Sequence, residues 1–332
     1  MLLQASPAHG RPEPLDEAER RRHKRRNLLH SLLLLGGMLA LAGLCGWLLF
    51  GPDGMIGLIL GMGGAILLAP KVSPALVLRM HHARPLAPHE APELVRIVDL
   101  LARRAGLRRP PDLYYVPSRV PNAFAVGSPD DAAVAVTDGL LRRLHPRELL
   151  GVLAHELSHV RNNDLWLMGL ADLIGRMTRV MSVMGVALVV IGLPMWLAGG
   201  RGPPLLLIPL LVFAPQITLL LQLALSRARE FDADLDAAGL TGDPEGLAAA
   251  LVKLERARQS LLERILMPGW RSPEPSLLRT HPPTRERIER LLALGTPARP
   301  RLAPAPEAAS LAPAGWPEIR RPPRPHVVGF FH

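Results

Sequence analysis

The residues best suited to chemistry stand together at His155-Glu156-Leu157-Ser158-His159. Two imidazoles four positions apart on a helix lie one above the other, so both rings reach a single point in space. Such a point suits a divalent metal. Zinc takes imidazole nitrogen at about 2.0–2.1 Å, and its catalytic sites usually combine three protein ligands with a fourth position for water. Glu156, beside the first histidine, is placed to take a proton from that water. The alternative is two histidines flanking a core helix with no metal at all.

The element that must carry the pair is a helix beginning at Pro146, a residue suited to a first helical position, with Glu148 in the first turn. Leu149, Leu153, Leu157 and Val160 form an apolar stripe at helical spacing, which the histidines flank. Upstream, Ala91 to Ala105 reads as an amphipathic helix ended by Gly106, followed by strands at Leu113–Val116, Asn122–Val126 and Ala132–Thr137. A small sheet of this kind has edges, and an edge can pair with an extended peptide.

Further carboxylates come from Arg229-Glu230-Phe231-Asp232-Ala233-Asp234, on a helix expected to stop near Gly239. Glu230 and Asp234 are four apart and share a face. One could bind metal while the other orients an imidazole through its free N–H; both could equally form a solvated acidic face. Asp243-Pro244-Glu245 opens another helix with Asp243 as N-cap, and Arg285 to Leu294 forms a last short one.

The chain has 332 residues and 39 Lys+Arg against 29 Asp+Glu, a formal charge of +10. Its aromatic content is only 4%, and the arginines are not interleaved with aromatics, so no nucleic-acid partner is indicated. Long uncharged stretches point to the lipid bilayer instead. Leu28 to Phe50 is long enough to cross a hydrocarbon core of about 30 Å, and Met55 to Ala69 follows after a Gly51-Pro52-Asp53-Gly54 break. Val180 to Ala198 and Leu205 to Leu225 make a second apolar hairpin. Basic residues between Arg20 and Arg26, and then Lys71, Arg79 and Arg84, put both ends of the first hairpin, and the metal motif with them, on the cytoplasmic side. Cys45 is the only cysteine, which excludes an intrachain disulfide and a cysteine-based metal site.

These pieces, in this order, resemble the HtpX-like branch of the integral-membrane zinc metalloproteases, a group related to the CAAX prenyl proteases. The resemblance runs from Leu28 to Leu294 and includes Pro121-Asn122-Ala123-Phe124-Ala125-Val126-Gly127 and Thr280-His281-Pro282-Pro283. It implies a mostly α integral membrane protein, with a zincin-type helical metalloprotease domain, a small β-sheet and two transmembrane hairpins. Residues 1–27 would be a basic cytoplasmic tail, 28–69 the first hairpin, 70–294 the protease domain interrupted by apolar hairpin 180–225, and 295–332 a proline-rich disordered tail. His155, His159 and Glu230 would hold one zinc ion, Glu156 would be the base, and Asp234 would orient a ligand. Asn122, His281 and Arg287 would lie near substrate or the transition state, although His281 could cap a turn and Arg287 could be a solvated helix residue. The implied activity is hydrolysis of peptide bonds in misfolded or damaged membrane proteins at the cytoplasmic membrane. The alternatives are a CAAX-type prenyl protease and a metal-binding scaffold without activity.

Overall fold

In the computed structural model, residues 17–68, 74–200, 207–266 and 284–294 are described. The first element, α1 (Glu17–Leu68), is two helices joined at Gly51, whose φ of 64° and ψ of −147° break the helical path. The chain doubles back there. Met38, Ala42 and Leu58 are buried in one cluster, whereas in a straight helix Ala42 and Leu58 would be about 24 Å apart at 1.5 Å per residue. Gly46 and Gly54 allow the return, because a Cβ on Gly54 would lie 2.0 Å from the Gly46 carbonyl oxygen. The first leg carries the apolar run from Leu28 to Phe50 as helix. The second, Met55 to Leu68, is only about 21 Å long. The basic run before the first span is helical, since α1 already begins at Glu17.

After α2 (Pro74–Met80) come β1 (Arg84–Pro85), α3 (Pro92–Ala105), β2 (Asp112–Val116), β3 (Ala123–Ser128) and β4 (Asp131–Thr137). Gly106 caps α3 in the left-handed conformation. The three expected strands are present and the two-residue β1 joins them, giving the order β1-β2-β4-β3. Strands β2 and β4 are parallel, and β3 returns antiparallel on β4, leaving β3 as an edge. Ala125, Val134 and Val136 point into the main core with α3 and α5, while Val126, Ala133 and Ala135 pack with Leu78 of α2 on the opposite face.

A short α4 (Asp138–Arg143) precedes α5 (Pro146–Arg161), the helix of the histidine pair. His145 and Glu148 form a reciprocal capping box at its start, with Glu148 Oε2 accepting from the His145 N–H at 2.8 Å. Leu149, Leu153, Leu157 and Val160 are all at most 1% exposed, so the predicted stripe is the face that docks α5 in the core.

The second hairpin departs from expectation. Two uninterrupted helices, α6 (Asp164–Leu197) and α7 (Leu207–Thr241), extend the apolar spans directly into the site. No strong helix breaker separates Leu225 from Glu230, so the span and the acidic segment form one rod; Pro215 lies inside it. Both α6 and α7 are long and apolar enough to cross a membrane, as is Arg25–Gly64 of α1. The chain closes with α8 (Pro244–Leu266) and α9 (Thr284–Ala293). Asp243 caps α8 as predicted, accepting from the Gly246 N–H at 3.1 Å.

α8 presses on α5 where Gly151 leaves no room: a Cβ there would lie 2.9 Å from the Leu247 Cα and N. Gly151→Ala would gain about 0.5–1 kcal/mol of helix propensity. The contact is with backbone, which yields poorly, so overpacking of about 1–3 kcal/mol should win. Thermal unfolding of the purified variant should show net destabilisation, and a raised midpoint would contradict this packing.

Candidate metal centre

α5 and α7 pack side by side, and their facing residues build the site. One nitrogen of His155, one of His159 and one carboxylate oxygen of Glu230 all lie within 4.8 Å of one another. The two Nε2 atoms are 3.2 Å apart. Glu230 Oε2 is 3.5 Å from His155 Nε2, and Oε1 is 3.7 Å from His159 Nε2. Helical spacing stacks the histidines, and the antiparallel return of the chain brings the acid, 71 residues beyond His159, to the same point.

Each imidazole is held from behind. His155 Nδ1 lies 3.0 Å from Asp234 Oδ1, the residue expected to orient a ligand. His159 Nδ1 lies 2.8 Å from Asp164 Oδ2, a partner that the sequence reading passed over. Asp164 reaches it because Asn163, between α5 and α6, takes a left-handed conformation (φ 55°, ψ 37°) that asparagine tolerates better than most residues. The signal was present as an aspartate five residues past the second histidine, but only that turn gives it meaning.

Two buried arginines complete the charge balance. Arg287 grips Asp234 through Nε at 2.7 Å and Nη2 at 2.6 Å, and its Nη1 lies 2.9 Å from Glu230 Oε2. It is therefore a buried clamp on the two acids and not a solvated helix residue. Arg229 joins Asp164 at 2.6 Å to Asp232 at 2.6 Å. Asn122 precedes β3 with an exposed side chain, and its backbone is tied to Thr137. His281 lies outside the described residues.

Glu156 faces the sheet. Its Oε2 accepts a hydrogen bond from the Ala125 N–H at 3.2 Å, which ties the carboxylate to edge strand β3. Burial pushes its pKa up, against the pull of His155 and His159. For His155, burial works against the imidazolium, but Asp234 and Glu230 overcome it and raise the pKa to about 10. Burial likewise opposes the Arg287 cation, and Asp234 and Glu230 more than offset it.

Residues 88–294 match the model of peptidase family M48. The chain belongs to that family. It is 41% identical over 216 residues to a protein named Protease HtpX homolog from Acaryochloris marina, covering 60% of this chain and 71% of that one. Another protein of that name, from Desulforapulum autotrophicum, is 34% identical over 285 residues, covering 80% and 89%. The crystal structure of S. mikatae Ste24p aligns with a TM-score of 0.49 at 20% identity, over 81% of this chain and 66% of that one. Family membership and the apolar helices make this a membrane metalloprotease, with protein substrates and a bilayer as its surroundings.

The donor set fits a metal ion of the kind that family uses. Imidazole nitrogen and carboxylate oxygen are ligands zinc accepts, and an aspartate behind each imidazole fixes the ring with Nε2 forward. A cation must displace the His155 proton. Because the folded pKa of about 10 lies above the ordinary 6.5, that imidazolium stabilises the metal-stripped fold fully below about pH 6.5 and ceases to do so as pH rises through about 10. Zinc affinity of the stripped protein should accordingly rise with pH, about tenfold per unit between pH 7 and 9. Chelator-competition titrations check this, and a flat profile across that range would contradict it.

Proposed function

We propose that this chain is a membrane-embedded zinc endopeptidase, with His155, His159 and Glu230 as metal ligands and Glu156 as general base. The observation that carries the reading is the convergence of those three donors within 4.8 Å, with Glu156 adjoining them and bonded to an edge strand. Zinc held there supplies a Lewis acid for the scissile carbonyl and lowers the pKa of water toward about 7. Glu156 takes a proton from the water whose oxygen bonds to the carbonyl carbon, and delivers it to the amine nitrogen as the C–N bond breaks. Its raised pKa suits both halves of that transfer, since a carboxyl nearer neutrality holds the proton longer before releasing it.

The substrate strand would lie along β3. In the antiparallel pair with β4, alternate residues turn their backbone groups outward, and the Ala125 N–H is one of them because it reaches Glu156 instead of β4. Recognition through backbone groups makes sequence preference broad, which suits unfolded segments of membrane proteins as substrates. The basic residues flanking the first hairpin favour a cytoplasmic active site in the cell membrane.

Glu156→Gln should retain zinc and lose cleavage of an unfolded protein such as casein by at least about 100-fold, the usual contribution of general-base catalysis. Chelation of the native protein should abolish cleavage, and zinc should restore it. Near-native turnover by the Glu156→Gln variant would remove Glu156 from its role.

A further inference from the structure

The two histidines are backed by different networks, and one of them leaves the protease core. From His159 Nδ1 the path runs to Asp164 (2.8 Å), to Arg229 (2.6 Å) and to Asp232 (2.6 Å). Asp232 Oδ1 then accepts a hydrogen bond from Asn27 Nδ2 on the first membrane helix, 205 residues earlier in the chain. Asp164, Arg229 and Asp232 are 3%, 8% and 5% exposed. At such burial, charged groups hold their places by their mutual bonds, because an unpaired charge there is costly.

We infer that Asn27 is a positioning residue for the metal centre, and that the N-terminal membrane helix helps to set the orientation of His159 through Asp232, Arg229 and Asp164. This rests on reading His159 as a metal ligand. Asp232 has two carboxylate oxygens, and the two contacts divide them: Oδ2 to Arg229 and Oδ1 to Asn27. Removing the amide frees Asp232 to turn about its side chain. Arg229 then shifts between its two acids, and Asp164 shifts with it. His159 is the last member of the series, and its Nε2 moves relative to His155 and Glu230. An anchor that served only to hold the protein in the bilayer would need no polar side chain joined to this network. Asn27 lies one residue before the apolar run from Leu28.

The test uses the full chain in detergent, with cobalt(II) as a spectroscopic probe and zinc affinity measured by chelator competition. Asn27→Ala should weaken zinc binding about 2- to 30-fold, the range for residues coupled through a network, and should alter the visible cobalt(II) bands. Asn27→Asp should do at least as much, since it sets a second carboxylate against Asp232. The exchanged pair Asn27→Asp with Asp232→Asn restores a donor opposite an acceptor while leaving an oxygen for Arg229. It should recover most of the loss and the native cobalt(II) spectrum, and it keeps the test informative should either single variant fold poorly. Native affinity and spectrum in both single variants would overturn the inference, as would an exchanged pair no better than Asn27→Asp. If the native chain itself gave no cobalt(II) spectrum of a protein-bound ion, the metal-centre reading would fail first. Native binding with indifferent variants would sink only the role of Asn27.

Discussion

The structure depends on a charge problem solved at the junction of α5, α6, α7 and α9. Five carboxylates (Glu156, Asp164, Glu230, Asp232 and Asp234) stand close together, four of them under 9% exposed. Carboxylates so confined repel one another and lose their water, and either effect alone would drive some of them to take up protons. Two buried arginines and the imidazole of His155 supply the opposing charge. The solution has a repeating form: each histidine rests on an aspartate, each aspartate on an arginine, and each arginine on a second acid. In the His155 branch the second acid is Glu230, which returns to the histidine pair. In the His159 branch it is Asp232, which reaches outward to α1. The histidines are therefore not equivalent, although helical spacing alone makes them look so.

Rigidity follows from how the acids are mounted. Glu230, Asp232 and Asp234 are carried on a helix that begins among apolar membrane residues, so the hairpin is the frame of the site and not an insertion into it. Helix α6 has the same double use, with Asp164 as its first residue and an apolar span beyond it. Small residues let these rods approach. A Cβ on Gly185 of α6 would fall 2.6 Å from a Leu211 methyl on α7, and one on Gly61 of α1 would lie 3.0 Å from the Met177 methyl. Close packing of this sort transmits displacement, since a dense interior has little slack to absorb it.

Much of this was legible in the residues. The period of Leu149, Leu153, Leu157 and Val160 fixed both the helix and the face from which the histidines project. The i, i+4 spacing of Glu230 and Asp234 put both acids on one face, and the structure turns that face toward His155. What could not be read depended on distance or on backbone conformation. Asp164 finds His159 only through the left-handed Asn163. Asp232 finds Asn27 only when two helices far apart in sequence pack together. The separation expected between apolar and acidic segments arose from treating a change of composition as a change of element, yet a helix continues wherever nothing breaks it. Strand β1, two residues long, has no pattern to read and exists through its pairing with β2. Arg287 was flagged by resemblance alone, and its packing against Asp234 and Glu230 gives that flag a physical content.

Edge strand β3 shows how the same groups serve stability and chemistry. An open strand edge invites pairing with other chains, and a buried N–H without a partner is costly. The Ala125 N–H has a partner in the Glu156 carboxyl from α5, so this outward-facing donor is satisfied without another strand. In the proposed reaction an extended peptide beside β3 would bring a backbone carbonyl able to accept from the same N–H, and Glu156 has a second carboxylate oxygen for the proton transfer whether or not the Ala125 bond is kept.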